Sequence, residues 1–389
     1  MLQQISEQDK LICLTDNEHS FSAVNPPIYQ SSIFSFNTIE DYIDYKDKLN
    51  QAYCYTRGNN PSCKILEQKL AALDQAEQCR VFSSGMGAIS AALFSTLNSG
   101  DHVLVLNTIY GPTLDYLKFM ERYGISFDVY SLVEISQLEQ LTKANTKVIY
   151  TESPATMTFE TIDLQKLAQF AKARNIVTII DNTCLTPLLQ KPLSLGIDIA
   201  VYSLSKYTGG HSDVIAGAVV TSQKLMINID KYGYKLSGSV LSPNDAFLLL
   251  RGLRTLPLRL EALSQTTTLV IDYLSKHPQI KAIYHPLSYS PEQRDIYQNQ
   301  TNGYAGLFSI QLVNNHTHEI RSFINHLQTF NIAVSWGGFE SLVMVKDINE
   351  LRKPISDNVI IRFSLGLLDA KTIIQDLEQA LNQIGTNHA

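Results

Sequence analysis

Lys206 and Asp181 each follow a short apolar run. The stretch 176–180, Ile-Val-Thr-Ile-Ile, leads into Asp181, and 197–202, Ile-Asp-Ile-Ala-Val-Tyr, leads into Ser203-Leu204-Ser205-Lys206. As neighbouring strands of one parallel sheet, the two runs would deliver an acid and a lysine to the same sheet edge. A lysine amine there can form a Schiff base with an aldehyde cofactor. A carboxylate there can keep a pyridinium nitrogen protonated, which makes the ring an electron sink. By themselves the two residues read equally as a structural aspartate and a surface lysine. The segment Ser83-Ser84-Gly85-Met86-Gly87 narrows the choice. It falls between an expected strand and an expected helix, where backbone N–H groups and a helix N-terminus suit a phosphate. Ser203 and Ser205 add hydroxyls from the opposite side. A lone glycine turn is usually explained by helix packing, and it gains weight here from the hydroxyl pair and the lysine. Tyr110, just beyond the apolar run 102–106, can stack on a flat ring or simply pack in a core.

The elements that must position these residues follow from hydrophobic periodicity. Ile65, Leu66, Leu70 and Leu73 recur at helical spacing, which predicts an amphipathic helix. Short apolar strands are expected at 80–82, 102–106, 147–150, 176–180 and 197–202. Helices are expected between them at 88–97, 113–123 and 164–174. Strands alternating with helices imply a mostly parallel sheet covered on both faces. In such sheets ligands bind beyond the carboxyl ends of the strands. A long helical stretch, 245–277, then leads into a shorter α/β region, and the polar stretch 286–302 reads as loop. The expected organisation is an extended arm over 1–60, rich in Asn, Ser, Tyr and Pro, a cofactor-binding domain over 61–245 and a C-terminal domain over 246–389.

Composition excludes several classes of function. A 389-residue chain with 44% hydrophobic and 17% charged residues reads as globular and can bury a large core. The net charge of −6 gives no basic footprint for nucleic acid. No apolar run approaches the roughly 20 residues of a membrane span. The opening MLQQISEQDK lacks the basic and apolar start of a secretory signal. Five cysteines without a CxxC pair argue against a disulfide framework or a zinc knuckle. No metal is expected, and a reducing cytoplasm fits best. Cys184, near the proposed site, reads as a small buried residue.

With those residues in view, the chain resembles the Cys/Met-metabolism family of pyridoxal-phosphate enzymes over nearly its whole length. Its most specific stretch is Asp198-Ile-Ala-Val-Tyr-Ser-Leu-Ser-Lys-Tyr-Thr-Gly-Gly-His-Ser-Asp213, similar to the family's lysine signature. Asp181-Asn-Thr183, Tyr55-Thr-Arg57-Gly-Asn-Asn-Pro61, Arg251-Gly-Leu-Arg-Thr-Leu256 and Arg362 match further landmarks. Ser205 departs from the usual threonine but keeps a hydroxyl. The resemblance implies a fold-type-I α/β architecture with pyridoxal 5'-phosphate on Lys206, which would also shuttle protons. It implies Asp181 at the pyridine nitrogen, Tyr110 on the ring, and Gly85, Met86, Ser203 and Ser205 at the phosphate. Tyr55 and Arg57 would reach the phosphate of a neighbouring subunit, in a homotetramer built as a dimer of dimers. Arg362 would grip the α-carboxylate of a small sulfur amino acid, a task for a bidentate guanidinium.

Within that family the motifs lean towards cystathionine β-lyase. Val334-Ser-Trp-Gly-Gly-Phe-Glu-Ser-Leu342 carries Trp336 after Ser335, where γ-synthases and γ-lyases usually have leucine. Glu152-Ser-Pro-Ala-Thr-Met-Thr-Phe-Glu160 lacks their usual Thr-Asn-Pro. Pro112 stands where methionine γ-lyases tend to have cysteine. The arm motif with Asn60-Pro61 is closer to the γ-type members. The expected reaction is β-elimination of cystathionine to homocysteine, pyruvate and ammonia. The alternatives are a γ-lyase, γ-synthase or methionine γ-lyase on the same scaffold, or an inactive cofactor-fold binding protein. The joint presence of Lys206, Asp181, Tyr110 and Arg362 speaks against the last.

Overall fold

The computed structural model describes residues 11–12, 23–47, 53–131, 134–353 and 359–384. The opening ten residues and Cys13, to which the leader and cysteine expectations refer, lie outside the described residues.

The first sheet is built from seven short strands. They are β1 Gln78–Phe82, β2 His102–Leu106, β3 Ser126–Tyr130, β4 Thr146–Glu152, β5 Val177–Asp181, β6 Ile199–Ser203 and β7 Gly217–Thr221. Their spatial order is β1-β7-β6-β5-β4-β2-β3. β2, β3, β4, β5 and β6 run parallel, and β7 runs antiparallel to both β1 and β6. The central strands read as continuous apolar runs because both of their faces are covered. Leu104, Leu106, Ile149, Ile180 and Ala200 enter one buried cluster. Their alternating neighbours Val103, Val105, Val148, Ile179 and Ile199 enter another on the opposite face. This is the mostly parallel, doubly covered sheet that the sequence predicts. β3 and β7 carry weaker signals: β3 is a half-exposed edge, and β7 is a five-residue run, Gly-Ala-Val-Val-Thr.

The helix Pro243–Leu274, capped by Ser242 and opened by Pro243, leads out of this sheet. The second sheet holds β8 Ile280–Tyr284, β9 Leu307–Leu312, β10 Phe330–Ile332, β11 Ser341–Val345 and β12 Ile361–Ser364, in the order β10-β11-β12-β9-β8. Its core combines Leu256, Leu260, Leu263 and Leu274 of the long helix with Phe308, Phe323 and Phe363. The expected loop at 286–302 is corrected. It contains a 3-10 turn Pro286–Ser288 and a helix Pro291–Gln300 with Ser290 as its N-cap. Only Tyr297 of that helix is buried, so its surface composition hides the helical period.

In the arm, Asn60 caps the helix Pro61–Leu73 and binds the carbonyl of Tyr29 through Nδ2 at 2.9 Å. Among the described residues of this segment, Val24, Ile28, Ile33, Ile39 and Ile43 are exposed. No helix among the described residues is long and apolar enough to cross a membrane.

Candidate active site

The carboxyl ends of β4, β5 and β6 meet the turn after β1 and a loop from the second sheet. Asp181 closes β5. Its Oδ1 accepts the main-chain N–H of Thr183 at 3.0 Å and the Thr183 hydroxyl. The same hydroxyl oxygen accepts the N–H of Ser203 at 2.7 Å, so the ends of β5 and β6 are tied through one side chain. Burial raises the Asp181 carboxyl above its ordinary range, while the Thr183 bonds and the Lys206 charge act in the opposite sense. A half-buried carboxyl in that state is suited to a cationic partner.

Lys206 lies three residues past β6. Its Nζ donates to Ser335 Oγ at 2.5 Å and stands 5.6 Å from the Trp336 ring centroid. Burial first, then the nearby Arg362 charge, lowers the affinity of this amine for its proton, and Asp181 partly restores it. The neutral amine is the nucleophilic form, so the environment favours attack on a carbonyl.

Ser335 and Trp336 reach the lysine from the loop between β10 and β11. Ser335 has φ 77°, and its carbonyl accepts from Arg362 Nη2 at 2.8 Å. Gly337 follows at φ +86°, and a Cβ there would sit 2.9 Å from Tyr207 N and 3.2 Å from Lys206 Cα. Only glycine fits both the dihedral and the approach. Trp336 packs on Tyr207 with ring centroids 5.3 Å apart. Arg362, on β12, is 9% exposed, and its Nε has no hydrogen-bond partner. An unpaired buried guanidinium N–H is costly, and a carboxylate is the ligand that satisfies it best. Burial moves this guanidinium down to about 10.

The residues expected at the phosphate lie together at the strand ends. Ser84 caps the helix Gly85–Thr96 and accepts from Gly87 N at 2.9 Å. A Cβ on Gly85 would meet Ser203 Cβ at 2.9 Å, so the two halves of the cradle touch. Met86 sits on the first turn of the same helix. Ser239 joins from outside the expected set: its hydroxyl pairs with Ser83 Oγ at 2.9 Å. The Ser205 hydroxyl is exchanged with the backbone of Ala216, accepting from its N at 2.9 Å and donating to its O at 3.2 Å.

Tyr110 precedes the helix Gly111–Met120, and its N–H is held by Glu152 Oε1 at 2.6 Å. Tyr55 and Arg57 pack on each other, with the guanidinium 5.0 Å from the ring centroid, and both face solvent. Cys184, expected to be buried, is only partly so; it packs against the core of the second sheet, and desolvation moves its thiol up to about 12. Beneath the strand ends, Tyr202 Oη donates to Asp74 Oδ2 at 2.7 Å and accepts from Asn182 Nδ2 at 3.1 Å. Burial moves the Asp74 carboxyl up to about 7, offset in part by Tyr202 and Lys191. No group of three or more potential metal ligands occurs among the described residues.

These features fit a flat, phosphorylated aldehyde with a ring nitrogen: a nucleophilic amine, a half-buried carboxyl, a glycine turn at a helix N-terminus and an aromatic residue lie around the same strand ends. Comparison with known proteins points the same way. Residues 10–382 match the model of the Cys/Met metabolism PLP-dependent enzymes. L-methionine gamma-lyase of Fusobacterium nucleatum is 36% identical over 92% of this chain and 93% of its own length. Cystathionine beta-lyase of Lactococcus lactis is 34% identical over 94% and 96%. The crystal structure of cystathionine gamma synthase from Xanthomonas oryzae in complex with cystathionine superposes with a TM-score of 0.88. It is 29% identical and covers 98% of this chain and 99% of that one.

Proposed function

From the premise that this chain belongs to the Cys/Met-metabolism family of pyridoxal-phosphate-dependent enzymes, we propose that it is a carbon–sulfur lyase catalysing β-elimination of cystathionine or a related cysteine conjugate. The cofactor is pyridoxal 5'-phosphate, as in the family. The observation that carries the β-lyase reading is Trp336, whose indole stands beside the Lys206 amine and against Tyr207. A wide aromatic wall there narrows the space in which the substrate's Cα–Cβ bond can turn.

In this reading Lys206 holds the cofactor's carbonyl carbon, and Asp181 holds its ring nitrogen. The Ser84–Met86 turn with Ser203 and Ser239 would hold its phosphate, Ser205 would join only by giving up its bond to the Ala216 carbonyl, and Tyr110 would cover its ring. When bound, the cofactor supplies an electron sink for the charge left at Cα. Arg362 would take the α-carboxylate through its guanidinium, which would fix Cα near Lys206. The Lys206 amine, held by Ser335 Oγ, would remove the Cα proton. Loss of the thiolate from Cβ then yields homocysteine, and hydrolysis of the remainder gives pyruvate and ammonia. Tyr55 and Arg57 would complete a neighbouring subunit's phosphate site in a cytoplasmic homotetramer.

The second reading is γ-elimination, favoured by the 36% identity to an L-methionine gamma-lyase. Identification of the keto acid formed from cystathionine, cystine and methionine decides between them. Pyruvate from cystathionine supports β-elimination. Release of 2-oxobutyrate with cysteine from the same substrate overturns it.

A further inference from the structure

β4 ends on Glu152, whose register partner across the parallel ladder is Asp181. Such partners point their side chains to the same face, so two carboxyl groups stand side by side at the strand ends. Glu152 is 8% exposed. A second acid in so dry a place is expensive, and packing alone does not call for one. Burial and the neighbouring Asp181 raise its proton affinity well above that of an ordinary carboxyl, while hydrogen bonds from Tyr110 and Thr156 oppose them.

What this carboxyl holds is the turn that carries Tyr110. Oε1 accepts the Tyr110 N–H at 2.6 Å, and the Glu152 carbonyl accepts from Asn107 Nδ2 at 3.1 Å. Thr156 N donates to the carbonyl of Thr108 at 2.8 Å. Tyr110 itself is 48% exposed and forms no side-chain capping bond to the helix it precedes. Core packing therefore does little to fix the ring, and its backbone is fixed from Glu152.

We propose that Glu152 is a positioning residue whose carboxyl oxygen anchors the main chain of Tyr110 and thereby sets how the Tyr110 ring lies over the cofactor. The inference rests on the reading that the cofactor is joined to Lys206 and covered by Tyr110. It assigns a role to a residue that the family motifs mark but give no task.

The test compares Glu152→Met, which keeps the volume and removes the acceptor, with Glu152→Gln, which keeps a carbonyl acceptor. Visible circular dichroism per bound cofactor reports how asymmetrically the ring is held, and dilution gives the rate of cofactor release. Glu152→Gln is expected to retain the signal and rate of the unaltered protein. Glu152→Met should lose at least half of the signal and release cofactor about tenfold faster, the scale of one lost hydrogen bond. If the methionine variant does not fold, Glu152→Ala takes its place. A methionine or alanine variant indistinguishable from the unaltered protein overturns the proposal, as does a glutamine variant equally impaired. Borohydride reduction of the unaltered protein separates the two readings. A label away from Lys206 sinks the cofactor assignment, whereas a label on Lys206 beside an undisturbed methionine variant sinks this inference alone.

Discussion

The amine of Lys206 and the hydroxyl of Ser335 lie 2.5 Å apart, although 129 positions separate them in the chain. The first sheet supplies the lysine and the loop before β11 supplies the serine, so the reactive amine is assembled from both sheets.

Lys206→Ala is expected to fold and to lose turnover by roughly a thousandfold or more, since both the covalent attachment and the proton transfer depend on this amine. Mass spectrometry after borohydride treatment of the unaltered protein should find the cofactor on the peptide containing Lys206. A label on a different lysine would remove the assignment.

Arg57→Ala should weaken cofactor retention, because the exposed Arg57–Tyr55 pair is read as part of a neighbouring site. Mixing inactive Arg57→Ala chains with inactive Lys206→Ala chains should restore activity, since some mixed pairs contain one complete site. Demonstrated subunit exchange with no recovered activity would count against sharing.

Trp336→Leu should lower β-elimination from cystathionine more than it lowers cofactor binding. It should also raise the share of 2-oxobutyrate over pyruvate. Changes of pocket shape are worth about 1–3 kcal/mol in discrimination, so the ratio should move by about tenfold or more. The product ratio at saturating substrate is the measurement. No change in ratio or rate would make Trp336 ordinary packing.

Asp74→Asn addresses the buried Tyr202 chain. The folded-state carboxyl is raised to about 7, above its unfolded value of about 4. The protonated form therefore favours folding below about pH 4, and this contribution is lost as pH rises from about 4 through 7. Over that window it amounts to a few kcal/mol, to order of magnitude. The asparagine variant should show a flatter dependence of Tm on pH there. An unchanged slope would mean that Asp74 is not the titrating group.

The parts of this site that could be read from sequence are those that local pattern specifies. Asp181 and Lys206 follow five- and six-residue apolar runs, and the Ser83–Gly87 turn sits between strand and helix, so each falls at a strand end by topology alone. Trp336 and Arg362 needed the resemblance to known enzymes, because nothing in their own segments points to a lysine far back in the chain. Ser239 and Glu152 were not legible as site residues. Ser239 meets Ser83 across 156 positions, and Glu152, two residues past the expected strand 147–150, stands in sequence only as the start of a family motif until its carboxyl is seen on the Tyr110 N–H. The helix Pro291–Gln300 escaped for another reason: a helix that buries one tyrosine leaves too faint an apolar stripe to betray its period.

Gly337 sits where any Cβ would press on Tyr207 N and Lys206 Cα, so the 335–338 segment lies backbone against backbone on the turn that carries the lysine. A side chain at 337 would push the loop outward and carry Ser335 off the amine. In the proposed reaction, the spacing between the lysine and the wall that faces the substrate is therefore set by a missing methyl group. The same wedge bears on redesign. Ser335 and Trp336 can be exchanged for other side chains in place, but transplanting the segment from a relative carries the contact with Tyr207 too, so loop and lysine turn have to be moved as a single graft.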